Sequence, residues 1–251
     1  MPTFDLGPLS IQVWGLFVAL GMLIALLVSI GRAKRLKGAK SHKITSENLY
    51  DIFIVVFIFG LLGSRLVFIL EHLSEGFAFT DFINITKGGL SLYGGLIFAV
   101  IAVLIYLKIK KLHFWQASDV IAPGLALGIG IGRIGDYLMG NHIGARTDFF
   151  LGTYFQGDLR HSPSLYSAIT GFLLFIVLIL LWPFIKRKEG STAYLFIVLY
   201  AGARFLMDFT RSADIIGVSD PRFFNLTLSQ WISALLFVIF VPLLVLKLKK
   251  K

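Results

Sequence analysis

Two pairs of opposite charge stand inside apolar segments of this 251-residue chain. Arg133 and Asp136, in Gly132-Arg133-Ile134-Gly135-Asp136-Tyr137-Leu138, are spaced i, i+3, and Arg204 and Asp208 are spaced i, i+4. Either spacing places both members on one helix face. Inserting an arginine at the centre of a membrane helix costs about 2.5–3.5 kcal/mol on translocon scales, so each guanidinium requires a partner or a task. A guanidinium fork matches phosphate oxygens two at a time, which suits the capture of a phospholipid headgroup. The plainer alternative is a structural ion pair, although buried pairs stabilise weakly.

Other residues extend the cationic set. Arg65, in Gly63-Ser64-Arg65-Leu66, is either a third anion ligand or a side chain that snorkels to the interface. Tyr93 lies between Gly88-Gly89 and Gly94-Gly95, where the small neighbours let a ligand pass close to the phenol; an interfacial aromatic anchor is the alternative. Gly135 belongs to a glycine series from Gly124 to Gly140 that suits close helix packing or close approach of a ligand. Residues 140–162 gather Asn141, His142, Arg146, Asp148, Asp158, Arg160 and His161, and Arg211 follows the second charge pair. The two histidines lack a carboxylate at ligand spacing, so neither a metal nor an organic cofactor is expected. With zero cysteines, the chain has no disulfide or thiolate of its own, and any thiol chemistry uses a substrate's thiol.

The elements that must position these groups are membrane spans. The chain is 57% hydrophobic, with 24 phenylalanines and 15% charged residues. A helix needs about 20 apolar residues to cross the hydrocarbon. Seven segments qualify, roughly 11–30, 50–70, 89–107, 116–138, 163–185, 191–209 and 227–247. None alternates with a period of two, so the expected fold is an all-α polytopic bundle rather than a barrel. Sixteen basic residues follow the first, third, fifth and seventh spans, whereas five lie on the opposite side. The positive-inside rule therefore places the N-terminus outside and the C-terminus in the cytoplasm. The first span has no basic residues before it and reads as retained rather than cleaved. The net charge of +10 is accounted for by topology and anionic lipid, with no nucleic-acid partner. One transmembrane domain over 1–251 is expected, with structured outer loops near 71–88 and 140–162.

Taken in order, these segments resemble the prolipoprotein diacylglyceryl transferase family. The resemblance rests on Gly63-Ser64-Arg65-Leu66, the run Gly88 to Leu96, Gly132-Arg133-Ile134-Gly135-Asp136 preceded by Asp119 and Ala122-Pro123, His161 to Tyr166, Tyr200 to Arg211, and Leu226 to Trp231. It implies a multi-pass enzyme of the bacterial cytoplasmic (inner) membrane that moves the diacylglyceryl group of phosphatidylglycerol to the lipobox cysteine of a secreted prolipoprotein, releasing glycerol phosphate. Arg133 and Arg204 match positions the family uses for headgroup and catalysis. Tyr93 or Asp136 would assist loss of the thiol proton, and Arg65, Gly94, Gly95, Gly135, Asn141, His142, Asp208 and Arg211 would contact substrate.

The chain departs from the family pattern at several acid-base positions. Tyr93 replaces a common histidine, Trp14 a tyrosine, Asp136 an asparagine, and Asn141, Ser167 and Asp208 each replace a glutamate. The rival reading is a phospholipid-binding relative in which the acid-base residues are rewritten. A transporter would call for an inverted repeat, and the sequence shows none.

Overall fold

Among the described residues, long runs of Leu, Ile, Val and Phe without strand alternation fold into seven helices, each long and apolar enough to cross a membrane. The structure, a computed structural model, describes residues 3–6, 9–36, 43–75, 89–185, 188–212 and 222–249. A hairpin of β1 (Thr3–Leu6) and β2 (Leu9–Gln12) leads into α1 (Val13–Leu36). Then follow α2 (Ser46–Glu71), a 3-10 turn at Leu73–Glu75, α3 (Leu92–Ile109) and α4 (Phe114–Leu138). A second antiparallel hairpin, β3 (Thr153–Phe155) with β4 (Asp158–Arg160), precedes α5 (Pro163–Ile185). After α6 (Ser191–Met207) and a 3-10 turn at Asp208–Thr210, β5 (Arg222–Phe223) pairs with β6 (Leu226–Thr227) and opens α7 (Leu228–Lys249).

The seven expected spans are all present, with ends shifted by a few residues. Of the two expected loops, 140–162 is described and holds the β3–β4 hairpin, while 76–88 lies outside the described residues. Large apolar side chains remain exposed along the helices, for example Ile54, Leu96, Leu180 and Leu235. Such a surface is stable in lipid, which is as apolar as the side chains themselves.

The chain divides into two compact units, residues 30–117 and residues 1–29 with 118–251. In the first, Thr45 and Asn48 form a reciprocal capping box at the start of α2, which satisfies two backbone donors. Helices α2 and α3 approach through small residues. A Cβ on Gly94 would stand 2.4 Å from the Gly63 carbonyl oxygen, and one on Gly95 would stand 2.2 Å from Ser64 Oγ. At the far end of this helix pair, Tyr106 donates to Asp51 at 2.8 Å.

In the second unit, α4 is the central strut. Its residues Ala122 and Ala126 bury against Leu174 and Leu178 of α5 and Phe196 of α6. The first half of α1 meets α4 at Gly21 and Gly128, where a Cβ on Gly21 would lie 2.6 Å from the Gly128 oxygen. In a bilayer, where burial adds no hydrophobic drive between helices, such close backbone contact supplies the association energy. Gly190, with φ 85°, ends the turn before α6 and offers that helix no side-chain cap. Asp119 of α4 supplies one instead, accepting hydrogen bonds from the backbone N–H groups of Gly190 at 2.5 Å and Ala193 at 2.9 Å. A carboxylate suits the positive end of the helix dipole, so the capping contact ties α4 to α6.

Candidate functional site

The C-terminal ends of α4 and α6 and the first turn of α7 carry the polar residues singled out by sequence. On α4, Arg133 Nη1 lies 2.9 Å from Asp136 Oδ2. Asp136 Oδ1 accepts from Asn141 Nδ2 at 3.3 Å, so both carboxylate oxygens have donors. On α6, Arg204 Nη2 lies 3.1 Å from Asp208 Oδ1 and donates to Ser229 Oγ at 3.2 Å. The two i, i+3 and i, i+4 spacings therefore form the pairs they predict, and Arg204 stands within electrostatic reach of Arg133 and Arg211.

Helix α7 begins so as to hold the Arg204 pair in place. Thr227 and Gln230 form a capping box, the Gln230 N–H donating to Thr227 Oγ1 at 3.1 Å and the Thr227 N–H to Gln230 Oε1 at 2.9 Å. Both residues also reach α6. Thr227 Oγ1 donates to Asp208 Oδ2 at 2.5 Å, and Gln230 Nε2 donates to the Phe205 carbonyl at 3.3 Å. These residues entered the sequence reading only as the start of a span; the Thr-x-x-Gln pattern ahead of an apolar run was the signal that could have marked them.

The segment after α4 is pinned against the end of α6. Gly144 N–H donates to the His161 carbonyl, and Ala145 N–H to the Thr210 carbonyl, each at 2.9 Å, and Gly144 bridges to Arg211 as in an antiparallel strand pair. A Cβ on Gly144 would stand 2.5 Å from the His161 oxygen and 2.6 Å from the Thr210 oxygen, so the close approach requires glycine. Arg160 is buried and donates to the Gly144 carbonyl at 3.1 Å. Nothing in the local sequence distinguished Gly144 from its neighbours, because its partners come from β4 and the end of α6.

This pinning places His142 beside Arg211, whose Nη2 lies 3.0 Å from His142 Nδ1. A guanidinium only donates, so Nδ1 accepts and the ring hydrogen resides on Nε2. Desolvation lowers the His142 pKa below its usual range, the Arg133 and Arg211 guanidiniums lower it further, and Asp136 opposes them. At pH 7 the ring is neutral. His142 and His161 line one cleft, open to solvent, with Tyr137, Asn141, Tyr154 and Arg160. His161 Nδ1 lies 2.9 Å from the Tyr166 hydroxyl, and desolvation lowers its pKa as well. Among the described residues no group of three His, Cys, Asp or Glu side chains could hold a metal ion.

Arg133, Asp136, Asn141, His142, Arg204, Asp208 and Arg211 thus come together in one unit. Gly135 on the same helix packs against α1, its Cβ position lying 2.7 Å from Phe17 Cβ. Arg65, Tyr93, Gly94 and Gly95 belong to the other unit. There Arg65 is 2% exposed and donates to the Gly89 carbonyl at 2.9 Å, so it does not snorkel. Tyr93 is exposed, and Gly94 and Gly95 face α2.

Seven apolar helices with paired charges gathered at helix ends define a multi-pass membrane protein. A model of the prolipoprotein diacylglyceryl transferase family matches residues 2–246. The chain belongs to that family. It is 32% identical over 244 residues to phosphatidylglycerol--prolipoprotein diacylglyceryl transferase 1 of Clostridium perfringens, covering 92% of this chain and 88% of that one. The corresponding protein of Pasteurella multocida is 34% identical over 216 residues, 84% of this chain and 78% of its own. That of Staphylococcus aureus is 30% identical over 257 residues, 96% and 87%.

Proposed function

We infer that this chain carries out the reaction its family is named for, moving the diacylglyceryl group of phosphatidylglycerol to the lipobox cysteine thiol of a prolipoprotein and releasing glycerol phosphate. The observation that carries this reading is the placing of Arg133 and Arg211 within electrostatic reach of Arg204, with Arg133 held by Asp136 and Arg204 by Asp208. Guanidiniums gathered in this way fit an anionic headgroup. As the C–O bond to phosphate breaks, charge grows on the leaving group, and preorganised guanidiniums lower the barrier most where that charge develops.

Each pair also has a positioning role in this reading. Asp136 fixes the Arg133 fork, and Asp208 fixes Arg204 while itself held by Thr227. Asn141 braces Asp136. The cleft lined by His142, Tyr154 and His161 admits the lipobox segment. The roles of Arg65 and Tyr93 rest on the family resemblance alone. The charge bias of the loops supports an orientation with the N-terminus and this cluster on the outer side of the bacterial cytoplasmic membrane, where secreted precursors emerge.

The test is substitution of Arg133 and Arg204 by alanine in purified protein. Either change should cut transfer by about 10³-fold or more, as for loss of a principal charge-stabilising donor. Folded variants that keep full transfer would sink the proposed roles.

A further inference from the structure

We propose that His142 takes the proton of the acceptor thiol, and that Arg211 withholds it until an anionic headgroup binds. The inference rests on the transfer reaction proposed above. Its geometric basis is the 3.0 Å contact from Arg211 Nη2 to His142 Nδ1. Because the guanidinium has no acceptor, Nδ1 bears the lone pair and Nε2 the hydrogen. His142 is therefore a neutral imidazole whose only basic atom is covered by a cation.

Further observations point the same way. His142 adopts φ 60°, a left-handed conformation that histidine enters less readily than glycine and that clusters at functional sites. The Gly144 and Ala145 hydrogen bonds to His161 and Thr210 hold this turn in place, so the ring is presented to the cleft rather than left to swing. Among the described residues, the charged groups facing it are Arg133 and Asp136 of α4, Arg204 of α6 and Arg211 beyond α6; Arg160 and His161 line the same cleft.

A phosphodiester acts on this arrangement twice. It draws the Arg211 N–H groups to its own oxygens, which frees Nδ1. Desolvation lowers the imidazole pKa most; the phosphodiester cancels the further lowering that the arginines add, which makes the ring a better base. Nδ1 then accepts the S–H proton while the sulfur forms its bond to the diacylglyceryl carbon. The C–O bond to phosphate breaks, and its electron pair leaves with glycerol phosphate. His142 returns to neutrality by passing the proton to the phosphomonoester or to water. Without lipid the base stays covered, and the thiol is not activated in vain.

The experiment uses the full chain in detergent with phosphatidylglycerol and a synthetic lipobox peptide. His142→Asn and His142→Gly both tolerate the left-handed turn, so each variant should fold. In the wild type the acid limb of kcat should lie at higher pH than that of kcat/KM, since only the lipid complex has the raised pKa. Both variants should lose kcat by about 10²–10⁴-fold, with KM for the lipid changed little, and should lose the acid limb. Added imidazole should restore transfer to His142→Gly. A retained acid limb, kcat near the wild-type value, or a loss that imidazole does not relieve would overturn the assignment of the proton to His142 alone. A folded wild type that transfers nothing would overturn the transfer reading beneath it.

Discussion

Asp208 is shared between two helices, with Oδ1 3.1 Å from Arg204 Nη2 and Oδ2 2.5 Å from Thr227 Oγ1. The carboxylate is 1% exposed, so removing it leaves a largely enclosed guanidinium without its counter-ion. Breaking a buried pair by removing one partner costs about 3–5 kcal/mol. Asp208→Ala should therefore lower thermal stability sharply as well as abolish transfer. Thr227→Val keeps the size and loses the hydroxyl; it should lower kcat by about tenfold through a looser Arg204 fork, as expected when a supporting shell is weakened. A thermal-shift scan beside steady-state transfer checks both.

Arg133 presents a fork and not merely a charge. Arg133→Lys keeps the charge but cannot grip two oxygens, so transfer should fall by about 10²-fold, a loss close to that of one charge-stabilising donor. Asp136→Asn should be tolerated far better, because an amide oxygen still accepts from Arg133 and the variant restores the residue the family resemblance leads one to expect. Transfer rates for the two variants, measured at saturating lipid, should differ by at least tenfold.

Gly144→Ala tests the pinning of the loop. A Cβ there meets the carbonyl oxygens of His161 and Thr210 at 2.5 and 2.6 Å, so the segment must move, and His142 and Arg211 move with it. Transfer should drop much more than melting temperature. Gly140→Ala makes a control of the opposite kind: its φ of 68° makes the substitution strained although nothing lies near its Cβ, so stability should fall by about 1 kcal/mol.

Stability should also depend on pH through the two cleft histidines. Both have folded-state pKa values below the usual 6.5, from desolvation in each case and from arginine repulsion at His142. Above pH 6.5 both states are neutral and nothing is lost. As pH falls through 6.5 the unfolded chain takes up protons first, so stability declines until the folded-state pKa values are passed. Melting curves between pH 8 and 5 should show that decline, and His142→Asn should reduce it.

The sequence made the spans and both charge pairs legible, because apolar length and i, i+3 or i, i+4 spacing are local. Arg204 and Asp208 needed no tertiary contact to be matched. What stayed hidden depends on long-range pairing: Arg211 meets His142 across 69 residues, and Gly144 has meaning only beside His161 and Thr210. Asp119 likewise reads as an isolated acid in α4 until α6 brings Gly190 and Ala193 to it. The short hairpins were invisible for another reason, since strands of two to four residues carry too little pattern to register.

Asp119 gives a prediction that separates stability from chemistry. Asp119→Ala removes a helix cap and should cost about 0.5–2 kcal/mol, read as a lower melting temperature. It is far from the arginines in sequence and touches the opposite end of α6, so protein that remains folded should keep kcat.

The central claim is tested most directly by incubating purified protein with phosphatidylglycerol labelled in its diacylglyceryl group and a synthetic lipobox peptide, beside the same peptide with serine for cysteine. The account predicts label on the cysteine peptide only, with one glycerol phosphate released per peptide modified. Folded protein that binds phosphatidylglycerol yet labels neither peptide would contradict it.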